Sequence, residues 1–351
     1  MYKRQVRAFE QVESARDEVS LTYFEFTTLA ALLILQQSKL DSAVLEVGLG
    51  GRLDTVNLID ADCMVITPIG LDHQEFLGQD LISIATEKAG ILRQATPLVC
   101  TETDPPLPIL KIAADLQAPV YRRGVDFDLV RSFGLDIDLL QFSLGDQSMT
   151  VSMPPMGGKH QLDNLAAALA ALCLMNPGCT VKANEISAAI QNCRVPGRLQ
   201  KVLSSPEVIL DVGHNELAAE ALAVFLEDNQ RSDTTCILAM LADKSAEAVA
   251  GAMGHVCKRW FCADSSGRRG QSGEQLARRI SAVLPTAKVK AFGPLDDALG
   301  EALCNAGKNQ TILVFGSFTT VSTAAHWLQN SLQHNRHDAD RISGNETGNG
   351  P

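Results

Sequence analysis

Leu45-Glu-Val-Gly-Leu-Gly-Gly-Arg-Leu-Asp54 carries an apolar run into a cluster of glycines and ends on a carboxylate. With Ser42-Ala-Val ahead of it, the stretch reads as a buried strand over residues 42–47 passing into a tight turn. That reading places Glu46 at the carboxyl edge of a sheet, where open α/β sheets bind ligands. The glycines at 48, 50 and 51 let backbone N–H groups come close to an anion or a planar ligand. Gly48, Gly50 and Leu53 do not make a G-x-G-x-x-G fingerprint. An ordinary strand-to-loop turn with a surface Glu46 explains the same spacing.

Outward from this stretch, apolar β-type runs alternate with helical patterns. A helix is expected over residues 22–37, a strand over 63–67, a helix near 81–92 and a short strand at 97–100. Continuous apolar strands separated by helices point to a parallel sheet covered on both faces. Residues 103–152 are less regular and suggest β-hairpins, and an alanine-rich helix follows at 162–175. A second series begins after Val195-Pro-Gly-Arg198, a reasonable linker. Its strands are expected at 208–212, 235–240, 259–263, 287–291 and 311–315. Helices are expected near 216–228, 246–256, 273–283 and 295–306.

The chain has 351 residues, 46% of them apolar, more than one core usually supports, so two domains are expected. No apolar run is long enough to cross a bilayer, and the start lacks the apolar core of a secretory signal. Nine scattered cysteines fit reduced thiols in a cytoplasmic protein rather than a disulfide framework. A net charge of −11 argues against broad nucleic-acid binding. The expected partners are small molecules, with no nucleic acid and no membrane, and the expected state is a monomer.

Thr67-Pro-Ile-Gly-Leu-Asp-His73 also follows directly on an apolar strand. Its Asp-His pair can ligate a metal, accept a proton or cap the next helix. A hard ion such as Mg2+ prefers oxygen ligands and keeps several waters, so Glu46, one imidazole and a phosphate oxygen make an acceptable partial shell. In Ala85-Thr-Glu-Lys-Ala-Gly-Ile-Leu92 the neighbours of Lys88 are small or apolar. That lets one side of the turn approach the sheet and disfavours the ammonium by desolvation, although a lone helical lysine is ordinarily solvated.

Taken in order, these segments resemble the folylpolyglutamate synthase/dihydrofolate synthase family of ATP-dependent ligases. Glu46 to Asp54, Ile69-Gly-Leu-Asp-His73 with Leu77-Gly78, and Glu87-Lys-Ala-Gly-Ile91 follow that family's order and spacing. Leu21-Thr-Tyr-Phe-Glu-Phe-Thr-Thr28 is similar to its Thr-x-Phe-Glu-x-x-Thr helix, and Gly158-Lys-His-Gln-Leu-Asp-Asn164 to its Gly-x-His-Gln-x-x-Asn segment. Pro196-Gly-Arg198, Asp211-Val-Gly-His-Asn215, Met240-Leu-Ala-Asp-Lys244 and Phe315-Gly-Ser-Phe318 complete the series. The resemblance spans about residues 18 to 330.

The resemblance implies an α/β, Mur-ligase-like fold. Residues 1–195 would be a P-loop-type parallel-sheet domain, truncated at its N-terminus, and residues 196–330 a Rossmann-like C-terminal ligase domain. Residues 331–351 are expected to be a disordered tail. The implied activity joins L-glutamate to dihydropteroate, or to the glutamate tail of reduced folates, through an acyl phosphate. By resemblance, Glu46 and His73 are ligands of Mg2+, and the catalytic residues are His73 and Lys88, the latter carbamylated. Asn164, Arg198, Asp211 and His214 match ATP contacts, with His214 and Asn215 at an interdomain cleft. Leu53, Asp54 and Thr55 match a pterin-contacting stretch.

Several positions depart from the pattern. The family carries a glycine-rich Lys-Ser/Thr P-loop upstream of the Phe-Glu helix. No Gly-Lys-Ser or Gly-Lys-Thr occurs here, Gly158-Lys159-His160 being the nearest. The residues ahead of Ser20 are too few for that loop with its strand and helix. The expectation is a truncated reading frame whose chain is inactive alone. Glu216 replaces a frequent Pro, and Ser245 a frequent acidic residue. Two other readings stay open: a Mur-type cell-wall ligase, and a non-catalytic ligase remnant acting as a binding protein.

Overall fold

The computed structural model describes residues 2–132, 139–176 and 182–344, with backbone alone for 332–344. Contacts divide the chain into two units. One comprises Met1–Leu129, Phe142–Ser148 and Asn164–Thr180; the other comprises Val130–Gln141, Met149–Asp163 and Val181–Pro351.

The first unit opens with α1 (Tyr2–Arg16) and α2 (Tyr23–Gln36), which share a small core of Ala8, Val12 and Ala30. The start of α2 is written in its sequence. Thr22 Oγ1 accepts from the Glu25 N–H (3.2 Å), and the Glu25 carboxylate accepts from the Thr22 N–H (2.7 Å), a capping box. A three-stranded parallel sheet follows, of order β1 (Met64–Ile66), β2 (Leu98–Cys100), β3 (Val120–Arg122). Its connections carry α3 (Gln74–Leu77), α4 (Leu81–Ala89) and α5 (Leu107–Asp115). Ile84, Ala85, Leu98 and Ile109 are buried in its core.

Residues 42–47 do not form the strand expected of them. They carry no strand pairing, and Val44 is 98% exposed. A parallel strand exists by the hydrogen bonds its neighbours offer, and β1 pairs only with β2. Glu46 therefore stands on an exposed segment rather than at a sheet edge. Ala43 and Leu45 instead line an apolar groove of about 790 Å³ together with Val12, Leu29, Leu33 and Ile59.

Residues 103–152 are only partly hairpin. After α5 and β3, the strands β4 (Phe127–Arg131), β5 (Leu139–Leu144) and β6 (Gln147–Ser152) form a small sheet in that order. The connection between β5 and β6 is two residues long, with Gly145 at φ +53°, a hairpin turn. Helices α6 (Lys159–Met175) and α7 (Ala183–Asn192) come next.

The second unit is built on β7 (Gln200–Ser204), β8 (Glu207–Asp211), β9 (Thr234–Leu238), β10 (Cys257–Cys262), β11 (Lys288–Ala291) and β12 (Thr311–Phe315). Their order is β11-β10-β9-β12-β8-β7, parallel throughout except for β7, which runs antiparallel to β8 at one edge. The helices are α8 (Glu216–Asp228), α9 (Ala246–Met253), α10 (Gly273–Val283), α11 (Leu295–Asn305) and α12 (Phe318–Gly344). The sheet contributes to two cores: Trp260 and Phe315 with Leu222 and Leu226 in one, Leu210 and Val314 with Leu299 and Ala324 in the other. A sheet packed in this way reads in sequence as continuous apolar strands.

Three expectations need correction here. The helix α12 runs on to Gly344, through the first part of the expected disordered tail; residues 345–351 lie outside those described. Cys236 and Cys257 form a disulfide, where reduced thiols were expected. Pairing of β9 with β10 brings them together, which a separation of 21 residues does not reveal. The Pro196-Gly197 pair is not a free linker. Gly197 is buried at φ +71°, its carbonyl accepts from the Val212 N–H (2.8 Å), and a Cβ there would meet Val212 Cγ1 at 2.8 Å. Among the described residues, no helix is long and apolar enough to cross a membrane.

Candidate functional site

The glycine turn packs against the carboxyl end of α4. The Arg52 N–H donates to Glu87 O (2.9 Å), and the Arg52 guanidinium reaches Glu87 Oε1 from Nε (3.1 Å) and Nη2 (2.9 Å). A Cβ on Gly51 would stand 2.7 Å from Glu87 O, and one on Gly90 would stand 2.3 Å from Arg52 Cβ. Glycine at both positions is what lets the two backbones come this close. Asp54 then ties the turn to itself. Its Oδ2 accepts from the Gly48 (3.0 Å) and Leu49 (2.9 Å) N–H groups, and its Oδ1 caps the 3-10 turn Thr55–Leu58 at the Val56 N–H (2.9 Å). Leu53, 79% exposed, and the half-buried Thr55 flank this anchored carboxylate.

Lys88 lies half-buried on the last turn of α4. Burial lowers its pKa from the ordinary lysine value, while the nearby Asp72 carboxylate pulls it back up. His73 begins α3 in a left-handed conformation, φ 52° and ψ 36°, uncommon outside glycine. Its N–H donates to Asp72 Oδ1 (2.8 Å), and the Ile69 N–H, earlier in the loop, donates to Glu102 (2.7 Å). Asp72 and Lys88 are thus brought together. Glu46 and His73 are both exposed, and among the described residues no three His, Cys, Asp or Glu side chains form a group that could hold a metal ion. One carboxylate and one imidazole open to water do not make a closed zinc-like cage. A Mg2+ ion needs less from the protein, being usually held by one or two carboxylates with substrate phosphates and water.

In the second unit, the carboxyl end of β8 gathers Arg198, Asp211 and His214. Asp211 is 4% exposed, and its Oδ2 accepts from the Leu199 N–H (2.9 Å) while Oδ1 accepts from the Gly213 N–H (2.7 Å). Burial raises its pKa, opposed by those two N–H groups and by Arg198 and His160. The carboxylate pins the turn from which exposed Arg198 projects. The ring of His160 fills the space beside Gly158, where a Cβ would meet His160 Cε1 at 2.7 Å and Leu199 Cδ1 at 2.8 Å. Burial lowers the His160 pKa, and its Nδ1 is buried without a hydrogen-bond partner. His214 Nδ1 donates to Val212 O (2.9 Å), and Asn215 Oδ1 caps α8 at the Ala218 N–H (2.9 Å). Asn164, exposed on α6, groups with the first unit.

Residues 3–172 match the model of the Mur ligase middle domain, and residues 197–318 that of the Mur ligase, glutamate ligase domain. The chain is 38% identical to the dihydrofolate synthase/folylpolyglutamate synthase of Escherichia coli, over 90% of its own length and 71% of that relative's. It belongs to the dihydrofolate synthase/folylpolyglutamate synthase family. The Haemophilus influenzae dihydrofolate synthase/folylpolyglutamate synthase is 35% identical, with 86% of this chain and 72% of that one covered. E. coli FolC in complex with DHPP and ADP superposes with a TM-score of 0.83 at 36% identity, covering 95% of this chain and 76% of that one. The Yersinia pestis bifunctional folylpolyglutamate synthase/dihydrofolate synthase complexed with AMPPNP and Mn ion gives 0.82 at 35% identity, over 93% and 76%.

In this dihydrofolate synthase/folylpolyglutamate synthase family member, Asp54 and Asp211 were expected at ligands by resemblance. The structure gives their oxygens backbone N–H partners. Asn57 and Arg93, which carry no motif signal of their own, hydrogen-bond behind the glycine turn.

Proposed function

We propose that this chain is the ligase body of an enzyme that adds L-glutamate to dihydropteroate and to the glutamate tail of reduced folates. The observation that carries the reading is its likeness over 95% of its length to a FolC solved with DHPP and ADP. The acceptor carboxylate attacks the γ-phosphorus of ATP, giving an acyl phosphate and ADP. The glutamate amine then attacks the acyl carbon, inorganic phosphate leaves and the amine loses a proton.

Leu53, Asp54 and Thr55 form the pterin-side wall, with Asp54 setting its shape. Glu46 and His73 would hold Mg2+, which supplies neutralisation of charge on the transferring phosphoryl oxygens when bound. Lys88, whose ammonium burial disfavours, is the residue carbamylated, its amine taking up CO2 with loss of a proton. Exposed Arg198 contributes positive charge for phosphate, and His214 of the second unit and Asn164 of the first are each a nucleotide contact by family resemblance.

A second reading rests on one observation, the lack of any Gly-Lys-Ser or Gly-Lys-Thr in the sequence. It holds that this chain alone binds the acceptor without turning ATP over. The test is calorimetric binding of 7,8-dihydropteroate against a UDP-linked cell-wall precursor, beside a ligation assay with ATP, Mg2+ and radiolabelled glutamate. Preference for the UDP-linked compound sinks the folate reading. Glutamate incorporation by the chain sinks the binding-only one.

A further inference from the structure

Behind the glycine turn, Asn57 uses every polar atom of its side chain. Its Nδ2 donates to Arg52 O (3.2 Å) and Gly90 O (3.0 Å), and its Oδ1 accepts from Arg93 Nη2 (2.9 Å). Arg93 Nη2 also donates to Asn57 O (2.7 Å), its Nη1 to Ile91 O (3.0 Å), and its Nε pairs with Asp60. The two side chains therefore close a clasp between the glycine turn and the residues that end α4. Neither is exposed enough to be a free surface group: both are partly buried. The stretch Leu53–Thr55 is consequently pinned at its centre and from the residues that flank it. Asp54 holds it to Gly48 and Leu49, and Asn57 holds it to Arg52 and Gly90.

We propose that Asn57 and Arg93 are positioning residues for the acceptor pocket, fixing the glycine turn on the carboxyl end of α4 so that Leu53–Thr55 meets the pterin in one conformation. This rests on the reading of Leu53–Thr55 as the pterin wall. A stretch held in its bound conformation binds without the entropic cost of ordering, and loosening it costs affinity although no ligand contact is removed. The packed Gly51 and Gly90 contacts, which need the two backbones to touch, make the turn intolerant of small shifts.

The experiment measures the Kd of 7,8-dihydropteroate, by its own fluorescence, and the Kd of ADP on the full chain. Variants are Asn57→Ala, Asn57→Asp, which keeps the acceptor for Arg93 but loses both N–H donors, Arg93→Lys and the Asn57→Ala/Arg93→Lys pair. Thermal unfolding beside each confirms that the folded protein is compared. In Asn57→Ala and Asn57→Asp the dihydropteroate Kd is expected to rise about tenfold, some 1.4 kcal/mol, with the ADP Kd unchanged within about twofold. Arg93→Lys shifts in the same direction, and the double variant binds no worse than the weaker single, since both act through one clasp. Unchanged dihydropteroate affinity in Asn57→Ala overturns the proposal, as does an equal loss for both ligands, which marks a merely structural role. Failure of the unmutated chain to bind dihydropteroate refutes the pterin wall itself, and the clasp's role with it, before any variant is made.

Discussion

Replacing Asp211 separates a clamp from a nucleotide contact. In Asp211→Ala the Leu199 and Gly213 N–H groups lose the carboxylate that accepts from them while staying in a site that is almost fully buried. Each buried donor left unmade costs about 1–3 kcal/mol, so the variant is expected to lose about 2–6 kcal/mol. That is a large share of the roughly 5–15 kcal/mol that stabilises a domain. Asp211→Asn keeps one acceptor oxygen and turns an NH2 toward the other donor, so its loss is about half as large. Both tryptophans, Trp260 and Trp327, lie in the second unit, so urea unfolding followed by tryptophan fluorescence reads that unit alone. The pH dependence has a definite sign. Because burial raises the folded pKa of Asp211, its contribution is fully present below the unfolded value and is lost as pH rises through the raised one. The gap between the native chain and Asp211→Asn therefore narrows with rising pH. Native stability in both variants, together with weakened ADP binding, would refute the clamp and leave a direct nucleotide contact.

Other perturbations test the remaining framework. Gly90→Ala places a Cβ 2.3 Å from Arg52 Cβ, and overpacking of about 1–3 kcal/mol should exceed the roughly 0.5–1 kcal/mol gained by removing a glycine, a net loss read by far-UV circular dichroism in urea. Glu207 is held down to about 2 by hydrogen bonds from the Arg231 fork and Lys201, so its stabilisation is present above the usual 4.5 and is lost as pH falls toward about 2; Glu207→Gln should flatten that acid limb in tryptophan-monitored unfolding. Glu46→Gln and His73→Ala should each weaken Mn2+ binding in the presence of ADP about tenfold or more, measured by electron paramagnetic resonance. Dihydropteroate affinity should stay within about twofold in both, because neither residue touches the clasp.

The second unit was the more legible in the sequence, and its caps explain why. Asn215 precedes α8, and Ser272 with Gln275 makes a capping box ahead of α10, so both helices fall on their expected residues. The strand β12 is a continuous apolar run, buried along its whole length. Where the signal is not local, reading fails. Residues 42–47 have strand composition, but a strand needs partners the sequence of the strand does not contain. α1 went unrecognised because its residues are mostly polar and bury only Ala8 and Val12. β7 was missed as a half-buried edge strand with no uninterrupted apolar run. The candidate site residues stand out in the sequence as members of an ordered set, but what their side chains touch is not written there. Nothing in the sequence showed that Asp54 and Asp211, both expected at ligands, also accept backbone N–H groups of the loops beside them.

The apolar groove between α1, α2 and residues 43–45 also decides how the protein behaves as a colloid. Its lining is a sticky patch on a particle that otherwise repels its copies through a net charge of −11. At low ionic strength that repulsion keeps the patches apart. Near 0.1 M salt the screening length shrinks to about 10 Å, and the repulsion no longer reaches from one surface to the next. Solubility should therefore fall, and light scattering rise, as sodium chloride is added, the reverse of ordinary salting-in. A mild nonionic detergent that occupies the groove should restore clarity without changing the charge.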